Sequence, residues 1–176
     1  MTARREELLE KAYGFVLEHG LADLSLRPLA QSIGSSPRVL LYLFGTKDGL
    51  VRELLARARR DELAALEGSD GDLGAATERL WEWLSAPEHR PLLVLWLEAY
   101  ARSLVDPDGP WAGYARQTVE DWLEVLARAQ PAGVRRTKAG LAERTRTLAL
   151  LRGAMLDLLA TGDERRVTAA LVPPSG

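Results

Sequence analysis

One stretch restricts the possible folds more than any other: residues 25–47, SLRPLAQSIGSSPRVLLYLFGTK. Leu26, Leu29, Ala30 and Ile33 fall at i, i+3, i+4 and i+7, which predicts a short helix with one apolar face. Ser25 stands where it can cap that helix, and Gly34 stands where a helix C-terminus favours a residue tolerant of positive φ. The next helix begins almost at once, with Ser36 as N-cap and Pro37 at the first helical position, where a missing N–H costs nothing. Two helices this short bury little by themselves. They make sense as a rigid device that holds the second helix at a fixed angle, which is the logic of a helix-turn-helix.

The remaining chain is long enough to support such a device. Its 176 residues suffice for a substantial core, and 47% hydrophobic with 27% charged residues is ordinary for a soluble globular protein. The longest apolar run, around LLVLWLEAYA, is broken by Glu98 well short of a bilayer span, so no membrane partner is expected. The N-terminus mixes acids and bases ahead of any apolar stretch, unlike a secretory signal. With no cysteine, disulfides, thiolate nucleophiles and thiolate-held metals are excluded together, and a cytoplasmic location is the expectation. The net charge of −2 is unevenly spread. Residues 1–60 carry 10 Lys and Arg against 7 Asp and Glu, whereas the rest carries 13 against 18. Such an excess can mark a footprint for a polyanion or can simply be solvated helix faces; its coincidence with the two-helix device favours the former.

Taken in order, the pattern is helical throughout. Helices are predicted over 4–19, 26–33, 36–44 and 47 to about 66, the last with Thr46 as cap and Leu50, Leu54 and Ala58 on one face. This fourth helix is too long for the N-terminal bundle alone and is read as a strut into the rest of the protein. GSDGD (68–72) marks a turn, and further helices follow over 73–85, 91–105, 111–129, 141–161 and 164–172. The helix at 91–105 is apolar nearly all round, as a central buried helix would be. DPDGP (106–110) and 129–140 read as loops, and 172–176 as a frayed tail. No segment alternates with period two. The expected fold is all-α with about nine helices: a three-helix helix-turn-helix bundle over 1–46 and a larger helical domain over 47–176.

Several features, in this order and at this spacing, resemble the DNA-binding domain of the TetR family of one-component transcriptional regulators. They are a first helix ending in His19-Gly20, then SLRPLAQSIG, a Ser-Pro start to the short third helix, and FGTKDGL opening the fourth. The resemblance covers about the first 50 residues; beyond it the likeness lies only in helix number and length. It implies a ligand-responsive, sequence-specific regulator, most often a repressor, that binds a palindromic operator in double-stranded DNA as a homodimer. A helical protein-interaction adaptor without DNA binding is the alternative.

A recognition helix presents its N-terminal residues to base edges while neighbouring groups hold phosphates. Leu40 and Phe44 share one face of the third helix and are expected in the core, leaving Arg38, Val39 and Tyr42 to project outward. Arg38 can fork onto guanine, Val39 can touch a thymine methyl, and Tyr42 can reach a base or a phosphate. Ser25 and Ser36, with Pro37 beside them, offer hydroxyls and helix N-terminal amides to phosphates, though both serines would cap helices without DNA. By the resemblance, Arg27 and Lys47 stand at DNA-contacting positions. Lys47 also lies at a helix N-terminus, where the macrodipole disfavours a cation, so a local structural motive is weak. The family usually carries a Tyr three residues before this Phe; here that position is Leu41 and the Tyr follows at Tyr42. Either Tyr42 takes over the contact, or that anchor is absent and Leu41 packs inward.

By the same resemblance, the last two helices are the candidate dimer interface, with Leu148, Leu151, Met155, Leu158 and Leu159 as its stripe; this stripe could equally be intrachain core. All five tryptophans follow residue 80. Trp81, Trp96 and Trp122, with Tyr100, are candidates to line an effector pocket for a flat or greasy small molecule, unless they are core. Glu98 and Arg102 are the charged groups expected to be partly buried there. Ligand binding is then expected to move the fourth helix and misalign the two recognition helices. Nothing points to an enzyme: there is no Gly-rich phosphate loop, HExxH or GxSxG, and His19 and His89 lie far apart. No cofactor or metal is expected.

Overall fold

The computed structural model describes residues 3–19, 25–65 and 71–171. Residue 20, the link 21–24, most of the 68–72 turn and the tail 172–176 lie outside that range. Among the described residues there are ten α-helices, one 3-10 turn and no strand. They are α1 (Ala3–His19), α2 (Leu26–Ser32), α3 (Pro37–Phe44), α4 (Lys47–Ala65), α5 (Leu73–Ser85), the 3-10 turn Pro87–His89, α6 (Arg90–Val105), α7 (Tyr114–Arg128), α8 (Ala132–Arg135), α9 (Lys138–Thr161) and α10 (Glu164–Leu171). The tenth helix is α8, four residues inside the predicted 129–140 loop. It is too short to show a hydrophobic period and is held instead by hydrogen bonds from the flanking turn.

Local chemistry sets the ends of the N-terminal helices. Ser36 Oγ accepts from the Val39 amide at 3.3 Å, and Thr46 Oγ1 accepts from the Gly49 amide at 2.9 Å. Ser25 occupies the N-cap of α2 but makes no capping hydrogen bond through its side chain, contrary to expectation. The α3–α4 corner requires its glycines. Gly45 has φ of +76°, and a Cβ on Gly49 would collide with the Phe44 carbonyl oxygen. FGTKDG is therefore a corner the chain can turn sharply, which fixes α3 against α4.

Two larger apolar clusters and a small third one fill the molecule. The first joins Leu8, Leu9, Ala12 and Val16 of α1 to Leu29 and Ala30 of α2, Leu40 and Phe44 of α3, and Leu50, Leu54 and Ala58 of α4. It continues into Leu92, Leu95 and Ala99 of α6 and Trp111. The second packs Leu80 and Trp81 of α5 with Trp122 and Leu126 of α7, Leu148 and Leu151 of α9 and Val167 and Leu171 of α10. Trp83, Leu93 and Met155 form a small third cluster beside it.

Helix α6 differs from its predicted environment, and part of the α9 stripe is the intrachain core that the sequence allowed. Helix α6 is not buried all round: Val94, Leu104 and Val105 are exposed, and Val105 retains 84% of its surface. Its apolar run is long because one face serves the core and the other continues the same composition into solvent. On α9, Leu148, Leu151 and Met155 are buried within the chain's own core, and Leu158 and Leu159 are half-buried. The residues exposed on the opposite side are Ala142, Ala149, Leu150, Gly153, Leu156 and Ala160. A helix apolar on both faces cannot reveal by period which face points inward.

Candidate nucleic-acid interface and adjoining cavity

Helix α3 sits at the edge of the N-terminal bundle with Leu40 and Phe44 inward. Arg27, Arg38, Val39, Tyr42 and Lys47 are exposed, as is Ser25, while Ser36 and Pro37 are partly covered. Tyr42 retains 86% of its surface, so no part of this chain packs on its ring. Leu41 is exposed as well, at 42%, which rules out the inward-packing option considered for it. Two adjacent exposed apolar side chains flank Arg38 on an eight-residue helix. No ion pair is found for Arg27, Arg38 or Lys47 among the described residues. Their charges are therefore not spent on an ion pair among the described residues.

The bundle that presents α3 is cross-tied by arginines. Arg5 of α1 donates to Glu53 of α4 at 2.7 Å and to the Leu43 carbonyl of α3 at 3.3 Å. Arg57 of α4 donates to Glu10 of α1 at 2.7 Å and pairs with Asp61, while Tyr13 donates its hydroxyl proton to Asp61 at 2.7 Å. Hydrogen bonding to Glu10 raises the Arg57 pKa further above its already high value. For Asp61 burial pushes the pKa up, but the hydrogen bonds from Arg57 and Tyr13 outweigh it and hold the carboxyl below its ordinary range. At the other end of α4, Arg102 of α6 lies 3.7 Å from Asp48 and also pairs with Glu98.

Helix α4 runs from this edge along the wall of a cavity of about 260 Å³. Arg52, Leu55 and Arg59 of α4 face Trp83 of α5, Leu92, Leu93 and Trp96 of α6, and Tyr114, Asp121 and Trp122 of α7. The Arg59 guanidinium lies over the Trp122 ring at 4.1 Å and that of Arg52 over Trp111 at 4.8 Å. Of the expected pocket residues, Trp96 and Trp122 line this cavity. Trp81 does not; it is buried in the second cluster with Nε1 donating to Thr168 at 2.8 Å. Tyr100 meets Arg152 of α9. Glu98 and Arg102 are half exposed rather than buried and edge a separate shallow cleft with Asp48, because their long side chains satisfy each other in solvent. Sequence reasoning missed Arg52, Leu55, Arg59, Leu93 and Asp121, although the i, i+7 spacing of Arg52 and Arg59 does place them on one face of α4. It also missed Arg152.

Neither histidine is placed for catalysis. His19 stacks on Phe15 and His89 on Trp83, each with Nδ1 at a backbone carbonyl. Among the described residues no group of three or more His, Cys, Asp or Glu is arranged to hold a metal, and no helix is long and apolar enough to cross a membrane.

No family model matches the chain. Among curated proteins it is similar to the HTH-type transcriptional repressor Rv1474c of Mycobacterium tuberculosis, with 29% identity over 98% of this chain and 90% of that protein. Among solved structures, the multidrug binding protein EbrR, complexed with imidazole, superposes with a TM-score of 0.67 at 25% identity, covering 99% of this chain and 94% of that one. The chain shares the fold of TetR-family transcriptional regulators and is similar in sequence to HTH-type transcriptional repressors. A TetR transcription regulator from Haloarcula marismortui shares the fold, with a TM-score of 0.70 at 22% identity over 97% of this chain and 94% of that one. Its likeness to HTH-type transcriptional repressors and regulators supports a DNA-binding transcriptional regulator and not an enzyme; the adaptor alternative is not favoured.

Proposed function

We propose that this regulator is a homodimeric repressor, acting in the cytoplasm, that leaves a palindromic operator when a small molecule enters the cavity beside α4. The observation that carries this reading is the double duty of α4. Its first residue, Lys47, lies at the exposed edge beside α3, and Arg52, Leu55 and Arg59 further along form one wall of the cavity. A helix of 19 residues is a rod of about 28 Å, so an occupant that displaces one end displaces the other. In this reading residues 1–46 form the reading head and 47–176 the effector and dimerisation domain. EbrR, solved with imidazole, supports a small-molecule occupant.

In the DNA-bound state Arg38 reads a guanine, Val39 and Leu41 contact thymine methyls, and Tyr42 lies against the sugar-phosphate edge. Lys47, Arg27 and the N-terminal amides of α3 beside Ser36 hold phosphates, and Ser25 lies at the same edge. The two-fold axis passes near the outward face of α9, where Ala149, Gly153 and Ala160 permit close approach and Leu150 and Leu156 supply apolar area. Leu158 and Leu159 border that face, whereas Leu148, Leu151 and Met155 serve the chain's own core.

The test is a gel-shift assay with DNA flanking the protein's own gene, run across a salt series. Salt-sensitive binding of a dimer to a two-fold site is the expected result. Absence of binding both there and in a random-sequence selection overturns the reading. Lys47→Ala is expected to weaken binding to all sequences evenly and to reduce the salt slope by about one.

A further inference from the structure

The cavity beside α4 has a small annex whose chemistry differs from that of its main chamber. Trp96, Trp122 and Leu93 are shared by the main cavity and a side pocket of about 40 Å³. The annex is walled by leucines of α5, α6 and α9 and by Met155, and its one charged side chain is Arg152. The Arg152 guanidinium lies 5.6 Å from the Trp96 ring centre and 5.3 Å from that of Tyr100. Among the described residues its one hydrogen bond is a long contact of 3.5 Å from Nη1 to the Tyr100 hydroxyl, and the buried Nη2 has no hydrogen-bond partner. No carboxylate pairs with Arg152 among the described residues. Burial pushes its pKa below the usual arginine value and Arg59 adds like-charge repulsion, yet an arginine remains charged at any physiological pH.

A partly buried guanidinium with a free donor is costly unless something answers it. A carboxylate does so best, because its two oxygens match the arginine fork. The surroundings repeat the preference: Arg52 and Arg59 also line the main chamber, whose one acidic side chain, Asp121, already accepts from Gln117 at 2.7 Å. The indole faces of Trp96 and Trp122 supply a flat apolar wall beside the charge.

We propose that the effector is an aryl carboxylate, its anionic end on Arg152 and its ring system against Trp96 and Trp122. This deepens the small-molecule reading above and rests on it. The assignment also explains why Arg152 is tolerated on an otherwise apolar stretch of α9.

Isothermal titration calorimetry on the full chain tests it with three matched probes: 2-naphthoate, 2-naphthamide and 2-naphthylmethylammonium. The acid is expected to bind at least about tenfold more tightly than the amide, with the amine weaker still. In Arg152→Met the acid should fall to the level of the amide while the amide is retained. The comparison on the unaltered chain stands even if that variant does not fold, and Arg152→Gln provides a second removal of the charge. An amide or amine that binds as tightly as the acid overturns the assignment, as does failure of all three to bind. An acid preference that survives in Arg152→Met overturns the role of Arg152. Calorimetry needs no DNA, so loss of this preference and loss of operator binding are separate results.

Discussion

Arginine is used in opposite ways on the two sides of α4. Between α1 and α4, Arg57 is fully engaged: Glu10 and Asp61 accept from it, and its guanidinium lies 4.7 Å from the Tyr13 ring centre. Beside the cavity, Arg152 has the Trp96 and Tyr100 rings nearby but, among the described residues, only one long hydrogen bond and a buried nitrogen without a partner. The apolar side chains follow the same division. Around the reading head Leu8, Leu29 and Leu40, with Leu54 of α4, lose essentially all their exposure in one continuous cluster. In the other half the clusters are split by a cavity of about 260 Å³. The packing around α3 is continuous, whereas the packing beside the cavity leaves space unfilled.

The largest effect that would sharpen this contrast is in the cores themselves. Leu40 is 1% exposed and packed on all sides, so Leu40→Ala should cost about 3 to 4 kcal/mol. Leu93 is nearly as buried but already borders empty space and has forfeited part of its packing. Leu93→Ala should cost about 2 kcal/mol. Chemical denaturation of both variants decides it: equal losses would mean that the cavity is not a weakness in packing.

The next effect concerns the surface the head presents. Arg38→Ala should cost about 1 to 3 kcal/mol against the preferred operator and little against unrelated DNA, because a base contact is lost and phosphate contacts remain. Competitive gel shifts with specific and random DNA measure that ratio. If Arg38→Ala and Lys47→Ala weakened both DNAs alike, the division between reading and gripping would be wrong. Ser36→Ala should act on the head differently. Its hydroxyl caps α3, so the loss is about 1 kcal/mol of stability by thermal melting, alongside any change in affinity.

What the sequence made legible follows the same division. The head could be read because its signals are local. Ser36-Pro37 starts a helix, FGTKDG turns a corner that only glycine permits, and Leu40 and Phe44 share a face one turn apart. The cavity could not be read, because it is a property of how α4, α5, α6 and α7 meet and not of any one of them. Tryptophan content pointed to the right half, and Trp96 and Trp122 do line the space. Composition could not tell them from Trp81, which is core. Glu98 and Arg102 misled for the opposite reason: an i, i+4 pair on an apolar helix looks buried, yet it satisfies itself in solvent. Arg152 went unnoticed because a single arginine within the apolar stretch 148–156 of α9 carries no periodic signal.

The smallest effect tests whether the engaged arginine stabilises the head. The Asp61 carboxyl is held below its ordinary value of 3.8, hydrogen bonds from Arg57 and Tyr13 outweighing its burial. A carboxyl with a lower pKa in the folded state than in the unfolded chain binds fewer protons when folded. Its contribution is therefore complete above the unfolded value of about 4 and is lost as the pH falls through the lower, folded one. Asp61 is partly open to solvent, which screens the interaction and keeps the effect small. Melting curves between pH 7 and pH 3 should show Asp61→Asn less stable than the parent at neutral pH, with the difference narrowing in acid. A gap of constant size across that range would mean that the carboxylate charge contributes nothing. The tie between α1 and α4 would then rest on packing and on the Glu10–Arg57 and Arg5–Glu53 pairs.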